Sequence, residues 1–259
     1  MKLEYGQEIV LKVGGSVLSN LYELCKTAKI IKDLSTKYTI KAVVVSAMGK
    51  TTSNLEDIAR YVSRRPRPTP CELDALRATG EMQSAPLLAM RLNKIGVHAE
   101  SYNAYQAGII TDDKYGNANI KNITFQYFQP MPDVIPIVAG YQGITGNGKL
   151  TTLGHEGSDF TAMWFASVLC ANVCVFLKDS CGRDIGGIFD KNPAAPDAKL
   201  LDVVSCTQLL KLMRENKSHV LHRKSLDFAK DSNVTSFVAG TENPTVGTLV
   251  VPYLRAKSH

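Results

Sequence analysis

Short, continuous runs of apolar and mostly β-branched residues recur along the chain at Ile9–Val13, Lys41–Ser46, Val97–Ser101, Val134–Val138, Val173–Leu177 and Val234–Val238. Runs of this length that do not alternate with polar residues predict strands buried on both faces. Between the first two, Leu21, Cys25, Ala28, Ile31 and Leu34 recur at helical spacing, with Ser19 or Asn20 placed to cap the helix. A second helix is predicted over Gly80 to Ile95, closed by Gly96, and a third over Asp159 to Ala171, with Ala162, Phe165, Ala166 and Leu169 on one face. Strands alternating with helices predict an α/β fold, a three-layer αβα sandwich whose largely parallel central sheet is covered on both sides.

No internal repeat or long linker interrupts this pattern. The segment Arg64-Arg-Pro-Arg-Pro-Thr-Pro70 is expected to be an exposed loop between helices. With 259 residues, the chain is expected to form one domain of two joined lobes, 1–148 and 149–259, the first holding a phosphate acceptor and the second a nucleotide. No apolar run approaches the ~20 residues of a membrane span, and the start Met1-Lys-Leu-Glu-Tyr lacks the apolar segment of a secretory signal. The expected location is the cytoplasm. Cys25, Cys71, Cys170, Cys174, Cys181 and Cys206 are scattered and read as free thiols, not as a metal site. A net charge of +6 suits polyanionic ligands, but the basic residues form no tract, so no nucleic-acid partner is expected.

The chemistry begins where the first predicted strand runs into Lys12-Val-Gly14-Gly15-Ser16. Two glycines after a strand let backbone N–H groups approach an anion closely, so the turn is suited to phosphate. The lysine precedes the glycines, unlike that of a Walker A loop, and approaches from the strand's end.

Further segments follow in order: Val43-Val-Val-Ser46-Ala-Met-Gly-Lys-Thr-Thr52, Gly80-Glu81, Gln106-Ala-Gly-Ile-Ile-Thr111-Asp112, Thr151-Thr-Leu-Gly154-His155-Glu156-Gly157-Ser158-Asp159, Val220-Leu-His222 and Gly247-Thr-Leu249. This series resembles aspartate kinase, of the amino acid kinase family, from about residue 9 to about residue 250. The resemblance implies the amino acid kinase fold, ATP with Mg²⁺ as cofactors, an amino-acid substrate and a homodimer formed through the N-terminal lobe. It implies phosphorylation of a carboxylate to an acyl phosphate, with L-aspartate giving 4-phospho-L-aspartate as the leading reaction. A carboxylate is already ionised at neutral pH, so such a reaction needs positioning and charge neutralisation, not a general base.

By the same resemblance Lys12 stabilises the transferring phosphoryl group, held also by Gly14, Gly15 and Ser16. Asp159 orients Lys12 and meets the substrate ammonium. Ser46, Thr52, His155 and Ser158 line the amino-acid pocket, and Glu81 receives the substrate ammonium. Lys178, Asp179, Phe189, Lys217 and His219 are expected on the nucleotide side, and no metal site made by protein ligands alone is expected. Capping explains Ser46 and Thr52 separately, and a helix first turn explains Glu81, but their common order favours the site.

Three departures qualify the resemblance. His155 stands where the family has an arginine that clamps the substrate's α-carboxylate; a histidine is only fractionally charged near neutrality and lacks the two-pronged fit. The nucleotide loop carries an insertion around Ser180–Asp184 and has Gly186 where an aspartate is common. His219 occupies the place of a phosphate-contacting lysine, leaving Lys217 or Lys178 to supply that charge. An altered acceptor related to aspartate, or a catalytically weakened nucleotide sensor, therefore stays open. The chain stops shortly after Gly247-Thr-Leu-Val-Val251, where the family commonly continues into regulatory domains, so such domains and their feedback inhibition are expected to be missing.

Overall fold

The computed structural model describes residues 1–125, 127–129, 131–179, 186–192, 195, 197–216 and 220–254. In chain order the elements begin with β1 (Glu8–Val13), α1 (Leu21–Ser35), β2 (Thr39–Val45), α2 (Thr51–Val62), α3 (Pro70–Lys94), β3 (Ala99–Tyr102), α4 (Ala104–Ala107), β4 (Ile109–Thr111), β5 (Ile120–Ile123) and β6 (Ile135–Ala139). They continue with β7 (Gln142–Ile144), β8 (Leu150–Thr152), α5 (Gly157–Val168), β9 (Val173–Lys178), β10 (Val203–Ser205), α6 (Cys206–Glu215), α7 (Arg223–Asp231), β11 (Ser236–Gly240) and β12 (Gly247–Val251).

Eight strands form one sheet in the order β10-β12-β11-β9-β1-β2-β6-β3. Among its pairs only β11 and β12 run antiparallel. All six sequence-predicted strands are in this sheet, with ends shifted by up to two residues. Strand β1 sits between β2 and β9, so the chain crosses from it to either side, and a crevice opens beyond its C-terminal end.

Period-two alternation along β1 divides two cores. Ile9, Leu11 and Val13 pack with Leu24, Ala28 and Ile31 of α1 and Ala85, Leu88 and Leu92 of α3. Val10 faces the opposite layer, with Phe160, Ala162, Met163 and Phe165 of α5. Lys12 shares the Val10 face, and so points toward α5 instead of solvent.

Local sequence explains the helix ends. The Asn20 side chain accepts from the N–H groups of Tyr22 and Glu23, which identifies the cap of α1 and contributes about 1 kcal/mol. Helix α5 stops at Val168, before the predicted Ala171, because Cys170 turns left-handed at φ 52° and the Ala171 N–H closes back on the Ala166 carbonyl. Helix α3 is the larger departure: it starts at Pro70, not near Gly80. Gly80 is not a boundary but a contact, since a Cβ there would lie 2.8 Å from the Ala47 Cβ.

Helix α2 ends at Val62, and the basic Pro-rich segment joins it to α3 as expected. A four-stranded second sheet, β5-β4-β7-β8, has no counterpart among the predicted strands. Five cysteines are free thiols; Cys181 lies outside the described residues. Among the described residues no helix is long and apolar enough to cross a membrane.

Candidate active site

The C-terminal ends of β1, β2 and β9 meet the first turn of α5. There Lys12 Nζ lies 2.6 Å from Asp159 Oδ1, and Lys178 Nζ lies 3.7 Å from Asp159 Oδ2. The backbone N–H of His222 also donates to Asp159 Oδ2 at 3.3 Å. Burial alone would push the Asp159 carboxyl up, but Lys12, Lys178 and the His222 N–H outweigh it and hold the group below the usual carboxylate range. Burial lowers the Lys178 ammonium, opposed by Asp159. Two lysines thus share one aspartate at this point of the site.

The Gly14-Gly15-Ser16 turn runs beside this cluster. A Cβ on Gly14 would come 3.6 Å from Lys12 Nζ and 3.9 Å from Ser16 Oγ. A Cβ on Gly15 would stand only 2.7 Å from the Ala47 carbonyl, so this position requires glycine. The Gly14 carbonyl accepts from Leu18 N–H at 3.2 Å, and the Gly15 carbonyl from Gly49 N–H at 3.0 Å. Because each peptide is planar and trans, the N–H groups of Gly15 and Ser16 point away from those partners. Donors turned away from these contacts are suited to an anion.

A cleft of about 440 Å³ adjoins the turn, and its lining includes Gly15, Ser46, Thr52, Glu81, His155 and Ser158. Thus the structure gathers every residue expected to line the amino-acid pocket. Glu81 lies deep: its Oε1 accepts from Ala47 N–H at 2.9 Å, while Oε2 is buried without a hydrogen-bond partner. Burial pushes its carboxyl up to about 8, against the opposing pull of the Ala47 N–H and Lys12. His155 is exposed at the rim, and Glu156 beside it caps α5 in the left-handed conformation at φ 59°.

The nucleotide-side residues are less gathered. Lys178 closes β9 and joins the Lys12–Asp159 pair, while Asp179 follows it at the surface. Phe189 is away from the cleft lining, in a β-bridge with Leu200. Lys217, His219 and the insertion around 180–184 lie outside the described residues. Gly186 has a physical reason: a Cβ there would be 2.3 Å from Gly240 Cα, so no aspartate fits.

Two participants escaped sequence reasoning. His222, at the N-cap of α7, fixes Asp159 through its backbone N–H, a contact with no side-chain signature. Arg77 of α3 enters the same cleft wall as Glu81. The signal for it was the spacing of Asp74, Arg77 and Glu81, which puts all three on one helix face.

A largely parallel sheet with a lysine-fed glycine turn at its carboxyl edge, facing a polar cleft, forms a site suited to a phosphate group beside a small polar molecule. The chain belongs to the amino acid kinase family, whose model matches residues 7–240. An aspartokinase from Bacillus sp. (strain MGA3) is 36% identical over 245 residues, covering 93% of this chain and 58% of that protein. The crystal structure of aspartate kinase from Synechocystis superposes with a TM-score of 0.80 at 28% identity, covering 97% of this chain and 40% of that one. E. coli aspartokinase III, crystallised with aspartate and ADP, shares the fold at a TM-score of 0.81 and 22% identity, covering 96% of this chain and 65% of that one. The resemblance carried by the ordered motifs therefore holds. The chain spans less than two thirds of the length of these relatives.

Proposed function

We propose that the chain transfers the terminal phosphoryl group of ATP to a carboxylate of an amino acid, L-aspartate being the leading acceptor and 4-phospho-L-aspartate the product. The observation that carries this reading is the junction of two environments: the cationic Lys12–Asp159–Lys178 cluster beside the glycine turn, and a cleft floored by Glu81. The aspartate and ADP bound to E. coli aspartokinase III support the same pair of ligands here.

In this reading an acceptor carboxylate oxygen attacks the γ-phosphorus, the bond to the β-phosphate oxygen breaks, and ADP leaves. No proton has to be removed. Lys12, with the N–H groups of Gly15 and Ser16, stabilises charge on the transferring oxygens, and Gly14 allows their close approach. Lys178 supplies the second cation, and Asp159 positions both lysines.

Glu81 takes the substrate ammonium, while Ser46, Thr52 and Ser158 line the acceptor pocket. Asp179 and Phe189 are assigned to the nucleotide side, with Lys217 and His219. Asp159 is already ion-paired with two lysines and accepts from a backbone N–H, so Mg²⁺ is assigned to the phosphate oxygens of ATP. The lobe before residue 148 would then carry the acceptor, the lobe after it the nucleotide, and two chains would pair through the first.

The test is ADP release with L-aspartate, L-glutamate and aspartate analogues altered at the α-carboxylate, with hydroxylamine present to trap an acyl phosphate as its hydroxamate. Aspartate-dependent ADP release with hydroxamate is expected. Failure of every amino dicarboxylate to elicit either product overturns the proposal.

A further inference from the structure

An amino dicarboxylate brings three charged groups into the cleft. Glu81 suits the ammonium and the lysine cluster faces the carboxylate that reacts, so the second carboxylate still needs a cation. His155 lines the rim with Glu156 at its side. Arg77 lines the cleft wall, one helical turn before Glu81 on α3. Residues four apart on a helix have Cβ atoms about 5–6 Å apart. That spacing matches a ligand whose ammonium and carboxylate sit on one carbon, each reached through its own hydrogen bond.

The guanidinium is held ready by its neighbours. Its Nε and Nη2 bond Glu56 Oε1 at 2.8 and 2.7 Å, and its Nη1 lies 3.5 Å from Asp74 Oδ1. Asp74 is already satisfied, accepting from the N–H groups of Gly116 and Thr152 at 2.7 Å each and from the Thr152 hydroxyl at 2.8 Å. Its pull on Nη1 is therefore the loosest contact of the fork. Glu56 is shared as well, since Arg60 Nη2 reaches its other oxygen at 3.2 Å. Arg60 keeps Glu56 paired when Arg77 takes another carboxylate. Five donors against these acceptors leave the Nη edge able to bind in two-pronged fashion.

We infer that Arg77 is the residue that binds the non-reacting carboxylate of the acceptor, and so sets the requirement for a dicarboxylic amino acid. This rests on the amino-acid carboxylate reading above. The test measures kcat/KM for L-aspartate and for its α-carboxamide analogue, at saturating ATP, in the wild type, Arg77→Ala and Arg77→Lys.

Wild type is expected to prefer the carboxylate, Arg77→Ala to lose about 10- to 100-fold of that preference, and Arg77→Lys to retain part of it. A general loss of folding lowers both substrates together and leaves their ratio intact. An unchanged ratio in Arg77→Ala overturns the inference while aspartate turnover by the wild type upholds the function. No turnover of either compound by the wild type removes both.

Discussion

Glu81 makes a prediction that joins electrostatics to substrate binding. Its folded pKa of about 8 arises from burial, and its second oxygen has no hydrogen-bond partner. At pH 7 the carboxyl is therefore about 90% protonated, whereas an ammonium ligand requires the anion. Binding must expel that proton. The work is about 1.4 kcal/mol at pH 7, a tenfold weakening relative to pH well above 8, and it grows another tenfold for each pH unit below.

Affinity for the amino-acid acceptor should thus rise about tenfold per unit from pH 6 to near 8 and then level off. Calorimetric titration of L-aspartate at pH 7, in buffers of different ionisation enthalpy, should show close to one proton released per ligand, and far less at pH 9. Glu81→Gln should bind weakly at every pH, with no slope and no release. A flat profile in the wild type, or the same slope in Glu81→Gln, would refute the reasoning.

Folding stability supplies an independent readout. The folded pKa lies above the unfolded value of 4.5, so between them the native state binds more protons and stability falls as pH rises. Across the whole window the loss approaches about 4–5 kcal/mol from this group. Urea denaturation should find Glu81→Gln similar to wild type near pH 4.5 and more stable than it above pH 8.

Removing Lys12 by Lys12→Ala should slow single-turnover phosphoryl transfer by more than ~100-fold, the order for loss of a group that meets transition-state charge; equal rates would exclude it from the chemistry. Asp159→Asn leaves Lys12, only 6% exposed, and Lys178 without their shared anion, and should cost about 3–5 kcal/mol in urea melts. A change under ~1 kcal/mol would contradict the buried pairing. Gly80→Ala sets the ~1 kcal/mol gain in helix propensity against a Cβ 2.8 Å from Ala47. Overpacking of about 1–3 kcal/mol should win, and the KM for the amino acid should rise more than that for ATP, because Ala47 holds Glu81.

Much of this site could be read from the sequence because its core elements announce themselves locally. Strands β1, β2 and β9 are continuous apolar runs, and the residues at their ends follow from where the runs stop. Helix α3 was legible only in its second half. Its first half buries Asp74 against the backbone of Gly116 and Thr152, a match between distant segments that no periodicity reveals. The short strands β4, β5, β7 and β8 carry too few residues to set a pattern. Spacing sets Arg77 on the helix face of Glu81, but its entry into the cleft depends on α2 lying beside α3. Lys178 was expected on the nucleotide side. Its position at the end of β9, neighbour to β1 in the sheet, sets it 3.7 Å from Asp159, a contact between segments far apart in sequence.

The two halves of the site treat charge in opposite ways, and the difference suits the ligands proposed for each. Lys12 and Lys178 both ion-pair with a fully buried Asp159 and hold its carboxyl below the usual range, so on the proposed function that side presents cations to the transferring phosphate. A standing negative charge at Glu81 would instead repel an entering dicarboxylate before its ammonium arrived. Burial removes that obstacle by keeping Glu81 neutral until a cation comes within reach. The acceptor thereby pays for ionising Glu81 with its own ammonium, and a dicarboxylic acid without an amino group gains nothing from the floor of the cleft. On the proposed function, selection for the amino group would come from an acid that is uncharged at neutral pH, and selection for the second carboxylate from an arginine one turn away on the same helix.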